Sequence, residues 1–324
     1  MNAKSQVLPV DGSRQLPNVC PMCGSSSTSC LEKLPFSLLR RIYRKQMKLD
    51  LGDQTFDAIE LKQCEACDLR FYVPEFSGDE KFYELLQRFD WYYMLEKQEY
   101  DFAAQYVTSE DRVLELGVGC GAFSARITPR SYVGLELSEA AANLARERGV
   151  VVHRCSIEEH AIDHPSHYDI VCSFQVLEHI IDPRSFIESS IKCLQTGGKM
   201  IHSVPWEDGF IGTQTNNVLN MPPHHATRWT DKALRNLAEL FNLQVVAVGY
   251  EMLSDLHIRA YSTALIENAM NRCLRRRHRT LDPMTNSFLV KAPVRALSLF
   301  LERGLKCPAL RPAGHSVTVV YKKL

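Results

Sequence analysis

The stretch V-L-E-L-G-V-G-C-G-A-F, residues 113–123, joins a short apolar run to three glycines at alternate positions. The apolar run predicts a buried strand. The glycines predict a sharp strand-to-helix turn whose backbone lies against a ligand, where a Cβ would not fit. Gly117, Gly119 and Ala122 also satisfy the G-x-G-x-x-G/A pattern of dinucleotide-binding loops, and Glu136 has the spacing of a ribose-binding acid. The loop by itself therefore leaves two cofactor classes open.

Two residues of this stretch favour a cofactor other than a nicotinamide dinucleotide. Glu115 places a carboxylate at the end of the strand, where it would repel a pyrophosphate and attract an ammonium group. Gly121 gives the loop the form E-x-G-x-G-x-G. Both observations favour a ligand with a positive charge near the end of the strand.

Short β-branched runs alternate with amphipathic segments from residue 111 onward, which is typical of a parallel sheet with helices on both faces. The runs cover 112–116, 131–137, 150–155, 168–174, 198–204 and 243–250. Ser138 and Pro183 fit the first residues of two intervening helices. The last run, 315–323, alternates as an edge strand does. We predict an α/β domain over 111–324 with a doubly wound, mostly parallel seven-stranded sheet. A helical insertion at about 254–312 is expected before the last strand.

Residues 111–183 resemble the class I S-adenosylmethionine-dependent methyltransferases in the order and spacing of their motifs. V-L-E-L-G-V-G-C-G resembles that family's first motif, and V-G-L-E-L-S-E (133–139) resembles its second strand with the ribose-binding acid. C-S-I-E-E-H (155–160) resembles its adenine-contacting turn. Y-D-I-V-C-S-F-Q-V-L-E-H-I-I-D-P (168–183) resembles its fourth strand and the following loop. The resemblance implies a Rossmann-like fold, methyltransferase activity and S-adenosylmethionine as cofactor.

The resemblance also implies a role for each residue of the cofactor site. The two first glycines would lie along the methionine part, with the carboxylate of residue 115 toward its amino group. The carboxylate of residue 136 would bind both ribose hydroxyls, residues 156 and 157 would flank the adenine, and residue 175 would lie near the methionine part. The predicted cofactor-binding residues are Glu115, Gly117, Gly119, Gly121, Glu136, Ser156, Ile157 and Gln175.

Two C-x-x-C knuckles about forty residues apart predict a zinc site. A tetrahedral zinc ion needs four soft ligands, and Cys20, Cys23, Cys64 and Cys67 supply them without an open position for water. We therefore expect a structural zinc ion. Together with the stretch L-R-F-Y-V-P-E-F after the second knuckle, residues 18–76 resemble the zinc-ribbon-like N-terminal domain of a group of sugar and natural-product methyltransferases.

The remaining N-terminal segments have less specific features. Residues 1–17 are polar and are expected to be a disordered tail, and residues 77–110 read as aromatic-rich linker helices. Within them Trp91, Tyr92 and Tyr93 are expected to pack against the sheet, with a lid over the cofactor as the alternative. The first residues lack the apolar core of a signal peptide, and no run reaches the ~18 apolar residues of a membrane span. We therefore expect a cytoplasmic protein.

The net charge of the chain is zero, but residues 251–324 hold 13 basic and 5 acidic side chains. Four arginines cluster in the sequence R-R-R-H-R, residues 275–279. We expect a solvated helix face; the alternatives are that residues 272–279 contact an anionic substrate, a peripheral membrane surface or nucleic acid. Nucleic acid is disfavoured, because residues 1–80 carry 10 basic and 11 acidic side chains and so do not form a basic finger.

Methyl transfer from a sulfonium needs an in-line nucleophile and usually a base. The loop N-M-P-P-H-H-A-T-R-W-T, residues 220–230, follows the fifth strand and presents two imidazoles and a guanidinium. Adjacent residues of an extended loop point opposite ways, so we expect only one of the two histidines to face the substrate. His179 fits a purely structural role equally well. The predicted catalytic residues are His224, His225, His179 and Arg228, followed by His202.

The sequence therefore predicts methyl transfer to a small-molecule or sugar acceptor, free or linked to a nucleotide or lipid. Two alternatives remain. The first is a nucleic-acid methyltransferase that uses the basic insertion. The second is a cofactor-binding scaffold without activity, against which the intact glycine loop and ribose acid argue.

Overall fold

The computed structural model describes residues 19–52, 54–78, 80–86, 89, 94–284 and 288–324. The predicted tail, residues 1–17, and the aromatic residues Trp91, Tyr92 and Tyr93 lie outside the described residues, so the predictions for them stay untested.

The N-terminal region consists of a small antiparallel sheet and one helix. Its elements are β1 (Thr28–Pro35), α1 (Phe36–Gln46), β2 (Ala58–Cys64) and β3 (Arg70–Val73). Helix α1 buries Leu39, Ile42 and Tyr43 in an apolar cluster with residues of β1 and β2. The second cysteine knuckle is the turn between β2 and β3, so it connects two paired strands.

A seven-stranded sheet forms the main body of the molecule. Its strands are β4 (Arg112–Leu116), β5 (Ser131–Leu135), β6 (Val151–His153), β7 (Tyr168–Phe174), β8 (Leu194–Pro205), β10 (Leu243–Met252) and β11 (Ala313–Lys323). They lie in the order β10-β11-β8-β7-β4-β5-β6, and only β11 runs antiparallel to its neighbours. This Rossmann-like arrangement confirms the predicted fold. The chain crosses from one half of the sheet to the other between β4 and β7, which is where such sheets bind ligands.

Helices cover the sheet and carry the predicted start signals. They are α2 (Glu80–Leu86), α3 (Gln98–Ala104), α4 (Glu139–Glu147), α5 (Ile157–Asp163), α6 (Pro183–Cys193), α7 (Asp231–Leu240), α8 (Ile258–Cys273) and α9 (Phe288–Leu305). Ser138 caps α4 by accepting a hydrogen bond from the Ala141 N–H, and Pro183 occupies the first turn of α6. Both signals placed the helix start correctly. The serine side chain satisfies one of the free N–H groups of a first turn, and proline has no N–H group to satisfy.

Strand β11 is an interior strand, which corrects the expectation of an edge strand. It pairs with β10 on one side and with β8 on the other. Ser316 and Thr318 gave the sequence its polar alternation, yet both are buried. A short hydroxyl side chain can lie inside a protein when it finds a hydrogen-bond partner, so alternation alone did not identify an edge.

Strand β9 (Thr227–Arg228) connects the two sheets. It follows the proline-stiffened loop after β8 and pairs antiparallel with β3, with Arg70 opposite Arg228 and Phe71 opposite Thr227. The small sheet therefore has the order β1-β2-β3-β9. The predicted substrate loop is thus anchored to the cysteine-bearing region.

The predicted helical insertion lies between β10 and β11 and consists mainly of α8 and α9. Within the described parts of the chain, no helix combines the length and apolar character needed to cross a membrane.

Candidate functional site

A cavity of about 1090 Å³ opens at the carboxyl ends of β4, β5, β7 and β8. Residues that directly follow three of these strands line it: Gly117 after β4, Glu136 after β5 and Gln175 after β7. The other end of the cavity is lined by a histidine cluster. Residues of α8 and of the segment before α8 also line the cavity. The cavity is therefore continuous from the glycine loop to the predicted catalytic loop.

The glycine loop adopts the backbone conformation that its sequence predicts. Gly117 and Gly119 both have φ in the left-handed region, at 66° and 53°. A Cβ on Gly117 would lie 2.6 Å from Cγ2 of Val176, so no larger residue fits there without displacing the loop after β7. Both glycines line the cavity as predicted.

Gly121 has a different function from the one predicted. It is packed away from the cavity, and a Cβ there would lie 3.1 Å from Cγ2 of Val150 and 3.4 Å from Cα of Ala145. The residue therefore allows close packing of the turn against α4 and, unlike Gly117 and Gly119, does not line the cavity. Its φ of 77° adds a second reason for glycine.

Glu136 lies at the end of β5 with its carboxylate already oriented by backbone groups. Oε2 accepts a hydrogen bond from the Gly119 N–H at 3.0 Å, and Oε1 accepts one from the Ser138 N–H at 2.9 Å. Burial raises the pKa of this carboxyl above its ordinary value. Ser156 and Ile157 also line the cavity, and Ser156 caps α5 in a capping box with Glu159. These positions agree with the roles predicted for the ribose and adenine.

Glu115 is a buried carboxylate in the wall of the cavity, with 3% of its surface exposed. Its Oε2 accepts a short hydrogen bond from the hydroxyl of Tyr132. Burial raises the pKa of Glu115 to about 8, which outweighs the opposing effects of Tyr132 and of the Lys97 ammonium. A further positive charge beside Glu115 would therefore stabilise the ionised form of this carboxyl.

Gln175 and the segment before α3 form a polar network that the sequence did not reveal. Gln175 has φ 58°, and its Nε2 donates to Oε2 of Glu99 at 2.8 Å and to Oγ of Ser316 at 3.1 Å. Lys97 Nζ lies 3.4 Å from Oε1 of Glu99, and both residues line the cavity. The sequence M-L-E-K-Q-E-Y-D, residues 94–101, has several charged side chains, so it does not single out Lys97 and Glu99.

Three histidines that are far apart in sequence meet at the other end of the cavity. The ring centroids of His179 and His224 lie 4.7 Å apart, those of His179 and His225 5.0 Å, and those of His224 and His225 4.6 Å. All three line the cavity. The expectation that only one of the adjacent pair faces it was wrong. The N–H groups of His224 and His225 both donate to the carbonyl of Met221, so the chain turns and places both rings on one side.

His224 and His225 are buried, His179 is half-buried, and all three imidazoles are neutral near pH 7. Burial lowers the pKa of His179 to about 4 and that of His224 to about 3, and it lowers the pKa of His225 well below the ordinary value. Glu178, which the sequence analysis did not select, is buried beside them. Its Oε1 lies 3.8 Å from Nε2 of His179 and 4.0 Å from Nε2 of His225.

Arg228 and His202 do not reach the cavity, which corrects their predicted roles. Arg228 is buried in the strand that joins the small sheet; its Nη1 lies 3.1 Å from Oε1 of Glu207, and its Nε and Nη2 donate to the Asn220 carbonyl. His202 is buried within β8, with Nδ1 2.7 Å from Oγ of Ser173. The partners of both side chains are distant in sequence, so the loop pattern could not reveal them.

The four knuckle cysteines meet in the small sheet. Sγ of Cys20 lies 3.4 Å from Sγ of Cys67, and Sγ of Cys23 lies 3.5 Å from Sγ of Cys64. The four Sγ atoms lie within 4.8 Å of one another. Zn–S bonds of about 2.3 Å in a tetrahedron place sulfurs about 3.8 Å apart, so this set fits a zinc ion.

The residues after the two knuckles adopt matching backbone conformations. Gly24 has φ 74° and Asp68 has φ 69°. In each knuckle the N–H of this residue donates to the carbonyl of the first cysteine, which closes the turn. The two turns are therefore structural counterparts, as expected of a site that takes two ligands from each.

The arginine cluster at 275–279 lies just beyond the end of α8. Arg275, Arg277 and Arg279 are exposed. Arg276 instead pairs with Asp282, with Nη2 3.1 Å from Oδ2. The ion pair neutralises only Arg276, so the basic segment exposes three further guanidinium groups to solvent.

A family model described as a methyltransferase domain matches residues 87–248, which is half of the chain. Among curated proteins, the chain is 32% identical over 112 residues to a ubiquinone biosynthesis O-methyltransferase of Hydrogenovibrio crunogenus; the match covers 32% of this chain and 46% of that protein. It is 35% identical over 100 residues to the protein of the same name from Aromatoleum aromaticum, covering 28% of this chain and 43% of that one. The chain thus spans about half the length of these relatives.

Solved structures give a further comparison. The crystal structure of a methyltransferase from Thermotoga maritima described as SAM-dependent aligns with a TM-score of 0.47 and 17% sequence identity. The alignment covers 76% of this chain and 98% of that one.

Proposed function

The chain belongs to the methyltransferase family whose domain spans residues 87–248, and from this premise we propose that it transfers a methyl group from S-adenosylmethionine to a small-molecule or sugar acceptor. One observation carries the proposal: a single cavity joins the glycine loop and Glu136 to the cluster of His179, His224 and His225. Cofactor and acceptor can therefore meet in a shared space.

The cofactor residues divide the ligand between them. The cofactor supplies, when bound, an electrophilic methyl group on a sulfonium. Glu136 would accept hydrogen bonds from the ribose hydroxyls. Glu115, whose carboxyl has a raised pKa, would release its proton and stabilise the ammonium group of the cofactor. Gly117 and Gly119 allow the close approach of the backbone.

The histidine end of the cavity would hold the acceptor. The hydroxyl of the acceptor must lose its proton as the oxygen attacks the methyl group, and assistance to that proton transfer contributes roughly 10²–10⁴ in rate. The two curated relatives described above are named O-methyltransferases, which supports a hydroxyl acceptor. The cavity, whose lining also includes Phe210 and Ala260, has a volume of about 1090 Å³, which suits the cofactor together with a small acceptor.

We also propose that one zinc ion binds Cys20, Cys23, Cys64 and Cys67 and has a structural role. The four thiolates complete a tetrahedron and leave no position for water or substrate. The metal would stabilise the turn that begins β3, the strand to which the catalytic loop is paired.

The basic segment at 272–279 supports a contact with the anionic part of an acceptor or with an anionic membrane surface. Replacing Arg275, Arg277 and Arg279 with Gln should weaken acceptor use or vesicle binding, with the larger loss at low salt, because salt already screens exposed charges. The triple variant R41Q/K45Q/K48Q, which removes the same charge from exposed positions on and just after α1, serves as the control. Equal behaviour of both triple variants would leave the segment as a solvated face.

Calorimetry with the Glu136→Ala variant tests the proposed function. The substitution removes two charge-assisted hydrogen bonds to the ribose, so we expect the affinity for S-adenosylmethionine to fall at least tenfold, or about 1.4 kcal/mol. The Glu147→Ala variant, changed on the exposed side of α4, should bind normally. Binding of NADH in place of S-adenosylmethionine by the unmodified protein would refute the proposal.

A further inference from the structure

We propose that His179, His224 and His225, assisted by Glu178, bind one divalent transition-metal ion in the wall of the cavity, separate from the four-cysteine site. The metal would keep one coordination position open toward the cavity, where an oxygen of the acceptor can bind. The acceptor part of this inference rests on the proposed function; the metal site itself rests on the geometry alone.

The hydrogen bonds of the three rings fix their tautomers. Nδ1 of His179 lies 2.5 Å from the carbonyl oxygen of His224, and Nδ1 of His224 lies 2.8 Å from the carbonyl oxygen of Leu219. Nδ1 of His225 lies 3.1 Å from Oδ1 of Asn220. These oxygens can only accept, so each Nδ1 carries the proton. Each ring therefore presents the lone pair of its Nε2.

Asn220 is itself held in the orientation that this arrangement requires. Its Nδ2 donates to Oε2 of Glu207 at 3.2 Å, which leaves Oδ1 for His225. Glu207 in turn is paired with Arg228. Metal-binding histidines commonly donate their second ring N–H to an oxygen of the protein, because this fixes the ring and raises the basicity of the ligand nitrogen. All three histidines here show that feature, and Arg228 is a positioning residue for His225.

The three rings converge closely enough to share an ion. One ring nitrogen from each lies within 4.8 Å of the others. In a tetrahedral site with metal–nitrogen bonds of about 2.0–2.1 Å, the ligand nitrogens lie about 3.4 Å apart. Rotations of the side chains are enough to bring the three ring nitrogens to this separation. Among the described residues, Nε2 of His224 is buried and has no hydrogen-bond partner, and neither has Oε2 of Glu178. Two unsatisfied buried atoms in one cluster indicate a missing ligand.

The kind of metal follows from the ligands. Three neutral imidazoles and one carboxylate suit Zn²⁺, Co²⁺, Ni²⁺ or Fe²⁺, whereas Mg²⁺ and Ca²⁺ prefer sites made of oxygen atoms. The carboxylate of Glu178, whose Oε1 lies 3.8 Å from Nε2 of His179 and 4.0 Å from Nε2 of His225, would offset part of the charge of the ion. A three-histidine set that leaves a position open is typical of zinc sites that bind a reacting oxygen.

A cobalt titration of the full chain tests this site. Protein whose cysteine site is filled with zinc, confirmed at one zinc per chain by elemental analysis, is titrated with Co²⁺. We expect one further equivalent to bind with the visible bands of a nitrogen–oxygen site and without thiolate-to-metal charge-transfer bands. The proposal would be overturned if the zinc-filled protein bound no equivalent of Co²⁺, or if the cobalt spectra showed only thiolate ligation.

The variants His224→Asn and His179→Asn locate the ion. An asparagine Nδ2 can replace the Nδ1–H donor and keep the bond to the carbonyl oxygen, while the Nε2 ligand is lost. Each variant should lower the affinity for Co²⁺ at least tenfold and should keep both the cysteine-bound zinc and the affinity for S-adenosylmethionine. His202→Asn, a buried histidine outside the cavity, is the matched control. Unchanged Co²⁺ affinity in the first two variants would refute the assignment.

The same experiments separate this inference from the proposed function. Binding of Co²⁺ at the histidines by a protein that neither binds S-adenosylmethionine nor transfers methyl groups would refute the function and leave the metal site intact. Methyl transfer that is unaffected by removal of every ion outside the cysteine site would support the function and reject the metal-assisted acceptor.

Discussion

At the scale of single residues, two carboxylates in one cavity wall differ because of what surrounds them. Glu136 faces the N–H groups of Gly119 and Ser138, which stabilise its charge. Glu115 is more deeply buried, and burial raises its pKa to about 8 although the Tyr132 hydroxyl, which donates to its Oε2, acts in the opposite direction. The first is arranged to receive hydroxyl donors, and the second is arranged to receive a cation.

The raised pKa of Glu115 predicts a pH dependence of cofactor binding. Free Glu115 holds a proton below about pH 8, whereas an ammonium beside it favours the ionised carboxylate. Binding therefore releases that proton, so the affinity for S-adenosylmethionine should rise with pH, by up to about tenfold per unit between pH 6 and 7.5. The ligand amino group stays charged over this range, below its pKa of about 7.7–8.0.

Calorimetry in two buffers of different ionisation enthalpy measures the released proton. Tyr132, Lys97, Glu99 and Glu136 face or surround Glu115 and contribute to its pKa, so the comparison must be made with a variant of Glu115 itself. Glu115→Gln should release less proton and lose most of the pH dependence, while Glu147→Gln on the surface keeps both. An identical proton count for Glu115→Gln would show that another group titrates.

Sequence reasoning brought most of the predicted cofactor residues to one cavity, but it misplaced Arg228 and overlooked Glu178. Glu115 lies near the end of β4, whereas Glu136 and Gln175 directly follow β5 and β7. Parallel strands bring those ends to one edge, so spacing was enough. Arg228 was misplaced because its partner Glu207 lies 21 residues away in sequence and draws the guanidinium into the interior. Glu178 was overlooked because a carboxylate next to a histidine gives no sign of burial.

At the scale of secondary-structure elements, the pairing of β9 with β3 is the feature that sequence reasoning missed. A two-residue strand has no recognisable period, and its partner lies more than 150 residues earlier. The pairing makes the cysteine-bearing sheet a support for the loop that holds His224 and His225. Its consequence is that loss of zinc should affect catalysis as well as the N-terminal fold.

The Cys64→Ser variant tests that consequence. Cys64 ends β2 and begins the turn that leads to β3, so its replacement should abolish zinc binding and loosen the attachment of β9. We expect the metal content at the cysteine site to approach zero and the rate of methyl transfer to fall at least tenfold. The affinity for S-adenosylmethionine should change little, since the glycine loop lies in the other sheet.

Cys30→Ser is the matched control, because Cys30 is an exposed cysteine in β1. This variant should keep one zinc and normal turnover. Full activity of zinc-free Cys64→Ser protein would show that the loop is held in place without the metal.

At the scale of the whole molecule, one buried hydrophobic cluster joins the two sheets. Cys20, Met22 and Cys64 of the small sheet belong to the same buried cluster as Leu114 of β4 and Trp229, the residue that follows β9. Trp229 is fully buried, and its indole N–H donates to the hydroxyl of Thr227. The boundary predicted at residue 76 therefore separates two sheets that this cluster joins, although the small sheet also packs on a second cluster with α1.

A shared cluster predicts that the described parts of the chain unfold as one cooperative unit. In scanning calorimetry we expect a single transition. Zinc release, followed with a chromophoric chelator that does not strip the folded protein, should coincide with it. A ligand at 100 times its Kd stabilises the folded state by about 2.7 kcal/mol. Saturating S-adenosylmethionine should therefore raise the melting temperature and the temperature of zinc release together, by several degrees. If zinc release precedes unfolding, and if S-adenosylmethionine does not change the temperature of zinc release, the cysteine-bearing sheet is an independent domain.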